Sequence, residues 1–125
     1  MELSAGTFRL EGHIDVPVDR LEAVSIALLE HIRLTREEPG CLFFNVDPCP
    51  DVEGRFLVSE AFVDEAAFNA HQDRAKGSEW AKVTEGIERD FRTWVVQVKQ
   101  HQDVGGFPLL FFRFQATKYS RIQAL

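Results

Sequence analysis

Between Phe8 and Val16 the chain alternates strictly, with Phe8, Leu10, Gly12, Ile14 and Val16 on one side and Arg9, Glu11, His13 and Asp15 on the other. A half-buried strand has this period of two. The period then lengthens: Leu21, Val24, Leu28, Leu29 and Ile32 recur at helical spacing, and Asp19 with Glu22 three residues on offers a capping box. A helix is expected from about Asp19 to Glu37. Pro39-Gly40 ends it, because Pro cannot continue a helix and Gly tolerates the left-handed cap conformation.

Two strands should follow, Cys41 to Asp47 and Arg55 to Val63, joined through the turn formers Pro48-Cys49-Pro50-Asp51-Val52-Glu53-Gly54 as a β-hairpin. Asp64 then caps a helix that sets Ala67, Phe68, His71 and Ala75 on one stripe, and Gly77-Ser78 reads as a break with a fresh N-cap. A third helix turns Trp80, Val83, Thr84 and Ile87 inward, and Phe91 to Lys99 is a strand by its Trp94, Val95, Val96 and Val98. The order β-α-β-β-α-α-β is the split β-α-β pattern of an α+β, ferredoxin-like fold: a four-stranded antiparallel sheet with helices on one side. Strand two carries Leu42, Phe44 and Val46 on one face and Cys41, Phe43 and Asn45 on the other. A sheet apolar on both faces, with helices for only one, predicts a second subunit against the other, hence a homodimer.

A chain of 125 residues with 45% hydrophobic content supports one core. Its net charge of −6 argues against a nucleic-acid partner, which calls for clustered Lys and Arg. The N-terminus lacks a secretory signal and no apolar run suits a membrane span, so a soluble, cytoplasmic protein is expected. Cys41 and Cys49 fit neither a disulfide scaffold nor a zinc motif and read as free thiols. His13, His31, His71 and His101 fall on separate elements, so no metal site is expected. Residues 1–99 carry 19 acidic and 11 basic groups, whereas 100–125 carry one and three. We therefore separate a domain, 1–99, from a C-terminal extension, 100–125. The extension's run Gly105-Gly106-Phe107-Pro108-Leu109-Leu110-Phe111-Phe112-Arg113-Phe114 is too apolar for a solvated linker and suits covering a strand edge or packing on a partner; a non-native extension is the alternative.

Glu60, on the third strand, and His71, on the apolar face of the next helix, occupy successive elements that must pack together. They either form a polar pair inside a pocket or stabilise a core.

Three blocks give the chain a recognisable likeness: Glu37-Glu38-Pro39-Gly40-Cys41-Leu42, Ser59-Glu60-Ala61-Phe62 with Asp64, and Ala67-Phe68-Asn69-Ala70-His71. Together, over about Phe8 to Val98, the chain resembles the antibiotic biosynthesis monooxygenase domain family, including the quinol-type monooxygenases. The resemblance implies homodimers of ferredoxin-like subunits whose sheets face each other as an α/β-barrel. It also implies cofactor-independent oxygenation by dioxygen of electron-rich aromatics such as anthrones or hydroquinones. Lys76 stands where many relatives carry a second histidine, and Thr84 lies near the place of the axial histidine in a haem-degrading branch, which disfavours haem degradation.

On this resemblance His71 is the expected base and Glu60 its orienter. Phe43, Phe62, Phe68 and Trp80 would wall an apolar cavity, and Asn45 would hydrogen-bond a substrate oxygen. Arg74 either faces a developing anion or pairs with Asp73 or Glu79. The bland readings are a structural histidine held by Glu60, an asparagine tolerated at a strand end, and a tryptophan that fills the core. The competing functions are a non-catalytic, dimeric small-ligand-binding protein and a proton-transfer isomerase using Glu60, His71 and Lys76.

Overall fold

Alternation and helical periodicity translate directly into elements. The computed structural model describes the backbone of residues 3–102, 108–114 and 117–119, and side chains from residue 3 to residue 97. Strand β1 is Phe8–Asp15, and a 3-10 turn, Val18–Arg20, leads into helix α1, Leu21–Arg36. Strands β2, Cys41–Pro48, and β3, Arg55–Phe62, form the expected hairpin. Helices α2, Glu65–Lys76, and α3, Glu79–Val83, follow, then strands β4, Arg89–Gln102, β5, Pro108–Phe114, and β6, Thr117–Tyr119.

The caps after β3 form as the sequence predicts. Asp64 Oδ1 accepts the Ala67 N–H at 2.8 Å and Ser78 Oγ accepts that of Ala81 at 3.3 Å, each satisfying an N–H that the helix itself leaves unbonded. The Asp19–Glu22 capping box does not form. Pro17, at φ −58°, leads instead into the 3-10 turn, so Arg20 becomes the N-cap and makes no side-chain cap bond. Gly40 also differs from expectation. The α1 C-cap is Glu37 in a right-handed conformation, and Gly40 serves close packing: a Cβ there would lie 2.4 Å from the Ala67 Cβ.

The sheet order is β2-β3-β1-β4, all antiparallel, which is the ferredoxin-like arrangement. β5 and β6 extend it along β4 in one continuous register, with Val96 opposite Phe114, Thr93 opposite Thr117 and Phe91 opposite Tyr119. The tail thus pairs with the β4 edge that β1 leaves open. Gly105, Gly106 and Phe107 lie outside the described residues, as do the side chains of the tail.

On one face Phe8, Leu10, Ile14, Phe44, Val46, Phe56, Val58, Phe62 and Phe91 pack with Val24, Ala27 and Leu28 of α1, Phe68 of α2 and Trp80 of α3. Each such large side chain contributes about 1.5–3 kcal/mol through burial. The opposite face is mixed, part apolar and part charged, where β2 alone predicts an apolar one. A register shift between Cys41 and Phe43 breaks the alternation there: Cys41 packs against the helix-side core, and the open face sets Phe43, Leu57, Ala61 and Trp94 among Arg9, Glu11, His13, Asn45, Asp47, Ser59, Asp90 and Arg92. Among the described residues no helix is long and apolar enough to cross a membrane.

Candidate active site

α2 runs across the helix-side face of the sheet, and its buried stripe Phe68, His71 and Ala75 follows from the spacing of three and four residues. His71 is 1% exposed. Its ring centroid lies 5.1 Å from that of Phe62, 5.7 Å from Phe44, 5.6 Å from His31 and 6.4 Å from Phe68. Trp80 stacks nearly parallel on His31 at 5.0 Å. An imidazole thus stands at the centre of an aromatic cluster contributed by α1, β2, β3, α2 and α3.

A polar chain links this cluster to the surface. His71 Nδ1 is 2.9 Å from Glu38 Oε1. Arg74 Nε donates to Glu38 Oε2 at 2.7 Å, and Arg74 Nη2 donates to Thr35 Oγ1 at 2.9 Å. Thr35 is fully buried, its hydroxyl bonded back to the His31 carbonyl at 2.7 Å. Glu38 and Arg74 are only partly covered and mark the rim. Glu38 sits just beyond α1, where Glu38 N–H to Thr35 O and Cys41 N–H to Glu38 O, both 3.0 Å, tighten the turn into β2.

This arrangement corrects the pairings expected from sequence. The carboxylate that holds His71 is Glu38; among the described residues neither oxygen of Glu60 has a hydrogen-bond partner. Arg74 pairs with Glu38, while Asp73 contacts Lys76 at 3.3 Å. Glu60 is 0% exposed on the helix-side face of β3. Burial, reinforced by the neighbouring Glu38 carboxylate, raises its carboxyl well above the ordinary carboxylate range. The Trp80 Nε1–H is likewise buried without a partner among the described residues.

Of the expected site residues, His71, Glu60, Phe62, Phe68, Trp80 and Arg74 lie on the helix side of the sheet, whereas Phe43 and Asn45 lie on the opposite face. There the Arg9 guanidinium sits 4.9 Å from the Phe43 ring centroid and 5.0 Å from that of Trp94, and Arg36 Nη2 reaches Asn45 Oδ1 at 3.4 Å. Cys41 is half-buried, and desolvation pushes its thiol up to about 11, the behaviour of a packed thiol rather than a nucleophile. Surface clefts occur elsewhere, on the open face around Gly12 and Leu57, with a volume of about 540 Å³, and beside Arg20 and Arg89.

Sequence reasoning missed Glu38, Thr35 and His31 as members of the site. For the last two a signal existed: His31 and Thr35 share the inward α1 stripe with Leu28, so two polar residues interrupt an otherwise apolar face.

The family model for antibiotic biosynthesis monooxygenases matches residues 7–83, more than half of the chain. The chain belongs to this family. The match runs from β1 through α3 and so contains Glu38, Glu60, His71 and Trp80. Solved structures agree on the family's fold. A conserved protein of unknown function from Bacteroides thetaiotaomicron aligns with TM-score 0.61 at 18% identity, over 74% of this chain and 99% of its own. A Nitrosomonas europaea protein assigned to the antibiotic biosynthesis monooxygenases aligns with TM-score 0.59 at 20% identity, over 71% and 94%. The PA3566 protein of Pseudomonas aeruginosa, with TM-score 0.56 and 19% identity, covers 90% of this chain and 98% of its own, so its likeness reaches into the tail strands. None of the curated proteins compared with the chain matches it.

Proposed function

We propose that this family member is a cytoplasmic monooxygenase that needs no cofactor and inserts an oxygen atom from dioxygen into a small electron-rich aromatic of the anthrone or hydroquinone type. The observation that carries this reading is the His71–Glu38 pair, 2.9 Å apart, at the core of an aromatic cluster. A carboxylate at Nδ1 fixes the orientation of the ring and favours the tautomer with the proton on that nitrogen. An apolar surround with one oriented base suits abstraction of a proton from an acidic aromatic.

The chemistry balances without any other reagent. His71 takes one proton from the substrate; the anion passes one electron to dioxygen, and the substrate radical and superoxide combine to a peroxide. Loss of water from the protonated peroxide leaves a carbonyl. The second oxygen atom and the two substrate hydrogens leave as that water. The aromatic side chains pack closely, so a substrate ring would enter at the Glu38–Arg74 rim by moving α2 off the sheet by about one ring thickness, roughly 3.5 Å.

We also propose a homodimer closed through the open sheet face, where Leu57 and Phe43 lie among charges of both signs. A C2 pairing can match Arg92 with acids such as Asp90 or Asp47 of the second copy.

The test is oxygen uptake by purified protein over a panel of anthrones and hydroquinones, against a heat-denatured control. Protein-dependent uptake with a carbonyl product is expected. Binding without turnover would favour the ligand-binding reading, and turnover without oxygen consumption a proton-transfer isomerase.

A further inference from the structure

Glu60 is the part of the site that His71 chemistry leaves unused. It lies on the helix-side face of β3, opposite Phe44 on β2 and Leu10 on β1, two residues before Phe62. It is fully buried, and neither carboxyl oxygen is hydrogen-bonded among the described residues. Buried polar groups in folded proteins are overwhelmingly satisfied, because an unmet donor or acceptor carries its full desolvation cost. Thr35 and Thr84, equally buried nearby, follow that rule: each hydroxyl donates at 2.7 Å to a backbone carbonyl of its own helix end. Trp80 Nε1, at the edge of the same aromatic cluster, shares the orphan state of Glu60.

We infer that Glu60 is the acid of this site, the group that gives a proton to the peroxide oxygen, with the Trp80 N–H as a second donor to the same oxygen. The inference rests on the oxygenase reading above and assigns Glu60 a role distinct from orienting His71. Among the described residues no hydrogen-bond partner meets its carboxyl, and burial with the neighbouring Glu38 carboxylate favours its protonated form. The two carboxyl groups therefore divide the work: Glu38 is taken up by its ion pair with Arg74, and Glu60 supplies the proton.

The proton inventory closes. After His71 has taken the substrate proton and carbon–oxygen bond formation has left a peroxide anion, the Glu60 O–H bond breaks and a new O–H bond forms on the terminal peroxide oxygen. The remaining C–H bond and the O–O bond then break together, the C–H electron pair forming the carbonyl and the released proton joining the departing hydroxide as water. The proton on His71 returns to the Glu60 carboxylate, and both groups regain their starting states. Dioxygen is the oxidant and the substrate the reductant, as in the proposed reaction.

Two measurements on the 125-residue chain test this. Difference infrared spectroscopy at pH 7 should find a protonated carboxyl band that shifts in heavy water and is missing from Glu60→Gln, a variant of nearly the same shape. Oxygen uptake with 1,8-dihydroxyanthrone as the probe should fall by about 10²–10⁴-fold in Glu60→Gln, and the decline of the wild-type rate at alkaline pH should disappear. Glu60→Asp should restore part of the rate together with that decline. Trp80→Phe should lower the rate severalfold and keep the alkaline decline. A purely structural Glu60 would leave the shape of the pH profile intact. Absence of the band from the wild type, or an unchanged alkaline decline in Glu60→Gln with uptake otherwise normal, would overturn the acid role alone. Wild-type protein that has the band but consumes no oxygen would overturn the oxygenase reading and the acid role with it.

Discussion

His71 on α2 and Glu38, 33 positions earlier, meet at 2.9 Å, and Arg74 Nε reaches the second oxygen of the same carboxylate at 2.7 Å. One carboxylate thus serves both the buried imidazole and the cation at the rim. Removing the imidazole by His71→Ala should lower oxygen uptake by about 10²–10⁴-fold, the usual contribution of a general base. Glu38→Gln should lower it by at least about tenfold, as expected when an imidazole loses the carboxylate that orients it. Steady-state oxygen-electrode kinetics on both variants would check this, and unchanged uptake in His71→Ala would remove His71 from the scheme.

The buried Glu60 carboxyl should make stability depend on pH in a defined direction. In the unfolded chain it loses its proton near the ordinary value of 4.5, whereas the folded protein keeps the proton to a higher pH. Between those two values the folded state binds more protons, so stability falls as pH rises. Relative to Glu60→Gln, the wild type should lose stability by up to about 1.4 kcal/mol per pH unit in that window. Urea unfolding of both proteins at pH 4 to 8 measures the difference; parallel curves would mean that Glu60 is charged in the fold.

Gly40 and Ala67 fix how closely α2 approaches the start of β2. A methyl group on Gly40 would come within 2.4 Å of the Ala67 Cβ, so Gly40→Ala should cost about 1–3 kcal/mol, the range for overpacking. Adding Ala67→Gly should recover part of that loss. A double-mutant cycle by chemical denaturation that gave simple additivity would show that the two positions do not press on one another.

Asn45 lies on the face away from His71, so Asn45→Ala should leave oxygen uptake within about twofold, the scatter of a surface change. A large loss of kcat in that variant would move the reactive site to the open face of the sheet.

Leu57 is 43% exposed at the middle of the open face. If that face closes the proposed dimer, Leu57→Asp places an unpaired charge at its centre and should shift the protein to monomer, by sedimentation at micromolar concentration. A wild-type monomer under the same conditions would rule out the dimer.

The sequence carried the element order and the sheet, because periodicity and turn chemistry are local. Asp64 and Ser78 cap their helices as their positions predict. Asp19 did not, since Pro17 starts a 3-10 turn that moves the α1 N-cap to Arg20. The β2 bulge is likewise invisible in an alternating string. It places Cys41 on the helix side and leaves Phe43 on the open face, so that face is less apolar than strict alternation implies.

The sequence by itself determined which residues share a strand face or a helix stripe, and from this the ferredoxin-like order and the burial of His71. Only the tertiary structure decided which carboxylate meets the imidazole. Glu60 is 11 positions from His71 and Glu38 is 33, yet Glu38 makes the bond and Glu60 has none among the described residues. The physical reason is that backbone periodicity sets the direction of a side chain, whereas a polar contact depends on how the end of α1, the β2 turn and α2 pack together. That packing is enforced by apolar burial over the whole sheet and by the missing side chain at Gly40, and no local pattern encodes it.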